Sequence, residues 1–215
     1  MKKSIAVIDC AVKDPAIACF NRLQRETDKN LSYHNFPMQG VRSLNLEEGF
    51  EALIILGSHS NVGDGSDWHG PLIDFTIKNL KNNTPVFGIC FAHQLLAHYF
   101  GSTMRANPGE KTLEGLREFE LKSDTFGLKG KQSFFTAHNF QIEKLGQELE
   151  VLGQTEDSPF EFLAHKSLPY WSCQSHPEGS DFFLENEISF KLDESSRKKG
   201  LESGLGFLKA FISYV

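Results

Sequence analysis

The chain has 215 residues, 40% of them hydrophobic and 23% charged, with a formal net charge of −6. A chain of this size builds a core without disulfides or a structural metal. Its composition excludes disordered, collagen-like and coiled-coil classes, and its acidic excess excludes a nucleic-acid surface.

No stretch nears the roughly 18 uninterrupted apolar residues of a membrane span. The apolar run after Lys3 ends at Asp9, too soon for a signal peptide. The cysteines Cys10, Cys19, Cys90 and Cys173 form no CxxC pair, which argues against zinc and for reduced thiols in the cytoplasm.

Residues 4–9 (SIAVID) read as a buried strand. Asp14-Pro15 reads as an N-cap followed by proline at the first helical position, opening a helix to about Glu26 with Ile17, Phe20 and Leu23 inward. Residues 31–36 form a second strand candidate. Residues 52–56 (ALIIL) are a continuous apolar run ended by Gly57, as in a parallel strand covered on both faces. A polar loop over 57–67 leads to an amphipathic helix over 71–82. Residues 85–89 (PVFGI) read as another buried strand, and 90–100 as a helix closed by Gly101.

Strand and helix alternate to this point, which implies βαβ units and a parallel sheet. The pattern then changes to short strands over 116–121, 133–137, 149–155, 161–165 and 170–174, some of them antiparallel. Helices over 182–192 and 201–215 close the chain. In the last, Leu201, Leu205, Leu208 and Ile212 share a face, while Gly204 and Gly206 weaken the helical signal. The expected architecture is a single α/β domain over 1–215, with a mostly parallel central sheet, helices on both faces and a small antiparallel extension.

The chemistry concentrates in Gly88-Ile89-Cys90-Phe91-Ala92-His93-Gln94. A buried strand runs into Cys90 and a helix starts there, the geometry of a nucleophile elbow, with Gly88 and Ala92 leaving room for the turn. A helix N-terminus favours a thiolate and offers free backbone N–H groups to an oxyanion. A cysteine nucleophile needs a base, and the base needs an orienting group. Ser175-His176-Pro177-Glu178 follows the 170–174 strand, and two-residue spacing in an extended segment puts the His176 and Glu178 side chains on one side.

Elbow and His-Pro-Glu together, in this order and spacing, resemble the class I glutamine amidotransferases, closest to stand-alone GMP-synthase-like members with a flavodoxin-like fold. The resemblance covers about residues 1–180. It implies that Cys90 attacks a γ-carboxamide and forms a thioester, that His176 carries protons and that Glu178 orients His176. It also implies an oxyanion hole from Phe91 and the loop at Gly57 or Ser58, substrate contacts from Gln94 and His138, and no cofactor. Three departures stand out: Ala92 replaces the usual glycine, His59 stands at a loop position usually held by proline, and Ala137 and Phe140 replace the serine and aspartate of a Ser-His-x-Asp segment.

The expected function is hydrolysis of glutamine or a related γ-glutamyl amide, releasing ammonia to a synthase on another chain. No GxxxxGK[ST] or GxGxxG turn provides an acceptor site on this chain. The alternatives are a stand-alone γ-glutamyl hydrolase or peptidase, and a non-catalytic binding protein that retains the fold. His59, Asp64, Asp67 and His69 read as polar-loop residues and not as metal ligands, and Cys10, Cys19 and Cys173 as structural thiols.

Overall fold

A computed structural model describes residues 3–46 and 49–215. Strands β1 (Ser4–Asp9), β2 (Leu31–Asn35), β3 (Phe50–Ile55), β4 (Val86–Ile89), β9 (Leu149–Gly153), β10 (Phe162–His165) and β11 (Tyr170–Cys173) make one sheet in the order β2-β1-β3-β4-β11-β10-β9. β2, β1, β3, β4 and β11 pair in parallel, and β10 and β9 extend the sheet antiparallel. β6 (Leu113–Thr125) and β7 (Leu128–His138) form a separate long hairpin, and β5 (Thr103–Ala106) pairs with β8 (Phe140–Lys144). The expected class is thus what the chain adopts.

Alternation along the strands splits the core in two. Ala6, Ile8, Leu53, Ile55 and Val86 face helices α4 (His69–Lys81) and α5 (Phe91–Tyr99). Ile5, Val7, Ala52, Ile54, Phe87 and Ile89 face α1 (Ile17–Arg25) and α7 (Glu194–Tyr214). The second layer is aromatic: Phe87 meets Phe207 and Phe211 of α7 at 5.5 Å between ring centroids, and Phe119 and Phe134 of the hairpin complete it. Two one-turn helices, α2 (Phe36–Gln39) and α3 (Val41–Leu44), follow β2, and α6 (Asp181–Glu187) precedes α7. No helix among the described residues is long and apolar enough to cross a membrane.

Several boundaries differ from expectation. α1 begins at Ile17 with Ala16 as its N-cap, and Asp14 is exposed. The carboxylate that matters is Asp9, whose oxygens accept from Ala11 N at 2.8 Å and Ala16 N at 2.7 Å. Those bonds hold residues 11–16 in a loop, so the helix starts late. Its inward face is Cys19 and Leu23, while Ile17 is 42% exposed. The hairpin outruns the expected 116–121 and 133–137 because its ends carry polar residues on the open face. β5 and β8 alternate apolar and polar residues over only four and five positions, too short a run to stand out, and were not expected. The 182–192 helix shrinks to Asp181–Glu187. The terminal helix starts at Glu194, where Asp193 accepts from Ser196 N at 2.9 Å.

The glycines of α7 also read differently in three dimensions. A methyl on Gly204 would overlap the Pro177 carbonyl and lie 2.8 Å from its Cα, so this glycine lets the helix touch the backbone of the His-Pro-Glu segment. Nothing lies within 4 Å of a methyl on Gly206. Gly206→Ala is therefore expected to stabilise the fold by up to about 1 kcal/mol through helix propensity. Gly204→Ala is expected to cost about 1–3 kcal/mol by overpacking, a contrast that thermal unfolding of the two variants reads directly.

Candidate active site

The C-terminal ends of β1, β3, β4 and β11 open on one edge of the sheet, where open α/β sheets bind ligands. The chain leaves β4 at Cys90 with φ 49° and ψ −99°, a left-handed backbone that a cysteine rarely adopts. Such strain costs on the order of 1–3 kcal/mol and persists when neighbours over-determine it. Here Cys90 N donates to Cys173 O at 2.9 Å, and the Cys90 carbonyl accepts from Gln94 N at 3.0 Å to start α5. The Ala92 methyl fits this turn, at 3.5 Å from where a Cβ on Gly88 would stand.

Facing it, β11 runs into the His-Pro-Glu segment. His176 Nδ1 and Glu178 Oε1 are 2.8 Å apart, and both residues are buried. His176 N donates to Phe135 O of the hairpin at 2.6 Å, which fixes the segment's height above the sheet. Arg22 of α1 donates to the carbonyls of Gly179 and Leu201, tying the segment to both flanking helices. Burial disfavours a charged imidazole, but Glu178 and Cys90 outweigh it and hold the His176 pKa well above its ordinary value.

Gly57, just past β3, packs against both partners. A Cβ there would lie 2.9 Å from His176 Cε1 and 3.4 Å from Cys90 Cβ, so only glycine lets thiol, imidazole and loop backbone share this space. Ser58 Oγ accepts from Ser60 N at 3.0 Å, which curls the loop. His59, at the position where proline was expected, reaches out to Glu187 of α6 at 3.3 Å. Asp64 and His69 are used inside the loop: Asp64 accepts from Asn61 N at 2.6 Å, and Ser60 Oγ meets His69 Nε2 at 3.0 Å. Among the described residues no group of three or more His, Cys, Asp or Glu side chains could hold a metal.

All eight residues singled out from the sequence line one cavity of about 1000 Å³: Cys90, His176, Glu178, Gly57, Ser58, Phe91, Gln94 and His138. Two of them have polar atoms already bonded to the protein. Gln94 Nε2 donates to Phe140 O at 2.7 Å and to Gln174 Oε1 at 3.1 Å. His138 Nδ1 bonds Phe140 O at 2.9 Å, and its Nε2 accepts from Arg117 Nη1 at 3.2 Å. Burial and the neighbouring guanidinium push the His138 pKa down to about 3, so the ring is neutral.

Sequence reading missed three residues here. Arg117 and Glu161 form a buried pair at 2.9 Å, and Glu161 also accepts from Ser175 N at 3.0 Å. Gln174 Nε2 lies 3.6 Å from Cys90 Sγ. Gln174 sits two residues before His176 and was in view. Arg117 and Glu161 carry no sequence signal, because their pairing depends on the hairpin folding over β10.

The class I glutamine amidotransferase model matches residues 6–191. The chain belongs to this family. It is 36% identical over 99 residues to a glutamine-hydrolysing GMP synthase subunit of Thermococcus kodakarensis, a stretch covering 45% of this chain and 52% of that protein. It is 32% identical over 146 residues to a glutamine-hydrolysing GMP synthase of Thermosipho melanesiensis, covering 64% of this chain and 27% of that one. The chain thus matches about half or less of these relatives' length. The fold is that of a glutamine amidotransferase from Thermotoga maritima, with TM-score 0.74 and 16% identity over 98% of this chain and 97% of that one. A glutamine amidotransferase from Methylobacillus flagellatus superposes with TM-score 0.74 and 13% identity, covering 100% and 96% of the two chains.

Proposed function

We propose that this amidotransferase chain hydrolyses the γ-carboxamide of glutamine through Cys90, as a single unit over 1–215. The observation that carries the reading is a strained cysteine at a helix N-terminus beside a buried His176–Glu178 dyad at 2.8 Å. The Cys90 sulfur attacks the amide carbon, and the C–N bond breaks as His176 gives its proton to the leaving ammonia. A γ-glutamyl thioester remains on Cys90. Water then attacks it, His176 takes that water's proton, and glutamate leaves as the sulfur is released. Glu178 keeps the imidazole turned with Nε2 toward the reaction. The oxyanion is held by Phe91 N–H at the start of α5 and by a loop N–H at Gly57 or Ser58.

The names of the relatives support a synthase partner that consumes the ammonia, since the Thermococcus protein is one subunit of a GMP synthase. Four free cysteines fit a reducing cytoplasm. A second reading, a stand-alone γ-glutamyl hydrolase, is favoured by the cavity of about 1000 Å³, whose wall carries Ala137 and Phe140. That is the upper end of the ~300–1000 Å³ that encloses drug-sized ligands, and glutamine is smaller.

A diazoketone analogue of glutamine tests the reading by intact mass. One adduct is expected, absent in Cys90→Ala, together with glutamate and ammonia release from glutamine by the wild type. No adduct and no glutamate release, with iodoacetamide still alkylating Cys90, would overturn glutamine as substrate and leave a different γ-glutamyl amide.

A further inference from the structure

The polar groups around Cys90 form a directed chain, and its direction is readable. Phe140 O is a carbonyl and accepts only. It receives Gln94 Nε2 at 2.7 Å, so that end of Gln94 is the amide nitrogen. The same nitrogen donates to Gln174 at 3.1 Å, so that end of Gln174 is its oxygen. The other end of Gln174 is then a nitrogen, and it points at Cys90 Sγ from 3.6 Å. His138 repeats the logic from the other side. Arg117 Nη1 can only donate to its Nε2, at 3.2 Å, so Nδ1 carries the proton that goes to Phe140 O at 2.9 Å. Gln94, Gln174 and His138 are all at least nine-tenths buried.

We propose that Gln174 is a further catalytic residue, whose side-chain N–H donates to the Cys90 sulfur and favours the thiolate. Gln94 and His138 are positioning residues: through the Phe140 carbonyl they lock the Gln174 amide in its donating orientation. A donor aimed at the charged form stabilises that form, whereas a flipped amide would present its oxygen and oppose it. His176, backed by Glu178, and Cys173 of β11 are titratable groups set against Cys90. Neither offers the sulfur a neutral donor whose direction is fixed from outside the dyad. The inference rests on Cys90 being the nucleophile but needs no particular substrate.

The test is the pH profile of Cys90 alkylation by iodoacetamide, followed by peptide mass on the full chain. Gln174→Met removes the donor at similar volume. The half-maximal pH is expected to rise by about one unit, a roughly tenfold slower reaction on the acidic limb. Gln174→Glu keeps the shape, puts a carboxyl group at the sulfur and is expected to shift the profile further the same way, which keeps the test valid should the methionine variant fail to fold. Gln94→Leu, which does not touch the sulfur, is expected to shift the profile in the same direction. Added to Gln174→Met it should shift it no further, because Gln94 acts through Gln174.

A wild-type profile in both Gln174 variants would overturn the role of Gln174. Should Gln94→Leu slow only the glutamine diazoketone and leave iodoacetamide untouched, Gln94 is a substrate contact and the positioning role is wrong. Because iodoacetamide reports on the sulfur alone, loss of glutamine turnover with these shifts intact would count against the proposed function and not against this inference.

Discussion

Glu178→Gln is expected to lower glutamine turnover by about 10⁴-fold with the fold intact, the size seen when the acid of a serine triad becomes its amide. The Glu178 carboxylate accepts at 2.8 Å from His176 Nδ1–H and so fixes the ring with Nε2 toward the reaction. A glutamine amide at this position can present N–H to Nδ1 and stabilise the opposite tautomer, which leaves no base toward Cys90. The same change has a pH signature in stability. Against burial, Glu178 and Cys90 raise the His176 pKa well above the ~6.5 of an unfolded chain. A raised histidine contributes stability that is complete below about pH 6.5 and is lost as pH rises through the folded value. The melting deficit of Glu178→Gln should therefore be larger near pH 6 than in the alkaline range. Turnover within tenfold of wild type, or an equal deficit at both ends, would remove Glu178 from the orienting role.

Arg117→Leu is expected to be the most destabilising single change outside the dyad, at about 3–5 kcal/mol in urea unfolding. Glu161 is fully buried, and its carboxylate has two partners, Arg117 Nη1 at 2.9 Å and Ser175 N at 3.0 Å. Removing the guanidinium leaves that charge buried with one backbone N–H, and also takes the donor from His138 Nε2. A second change, Glu161→Leu, removes the stranded charge but leaves Ser175 N without its acceptor, at about 1–3 kcal/mol. The double variant should then recover part of the loss and not all of it. Activity should fall further than stability predicts, because Ser175 adjoins His176. Full recovery in the double variant would make the pair a mere filler of space.

These two sites were not equally legible. Cys90, His176 and Glu178 stood out because a nucleophile elbow and a two-residue acid–base spacing are local patterns, readable from adjacent residues. The central strands β1, β3 and β4 were legible for the same reason, as short apolar runs ending at Asp9, at Gly57 and at Cys90. The start of α1 was misread because Asp9, and not Asp14, takes the free amides. The start of α7 was missed because its first turns are polar and solvent-facing, although Asp193 was available as a cap. Gly204 looked like a flaw in a helix until the backbone of Pro177 was found against it.

The sequence by itself determined the layer architecture and pointed to Cys90 as the proposed nucleophile and His176 as its proposed base, since hydrophobic period and chain-local turn chemistry are written in neighbouring residues. Only the tertiary structure decided which way the polar groups point. Gln94, His138 and Phe140 lie on three different elements, and Gln174 just past a fourth. Whether an amide end donates or accepts depends on the partner opposite it, and those partners meet only when the hairpin, α5 and β11 close on one another. A buried donor with a fixed direction is a property of the packed network, and no residue carries it alone.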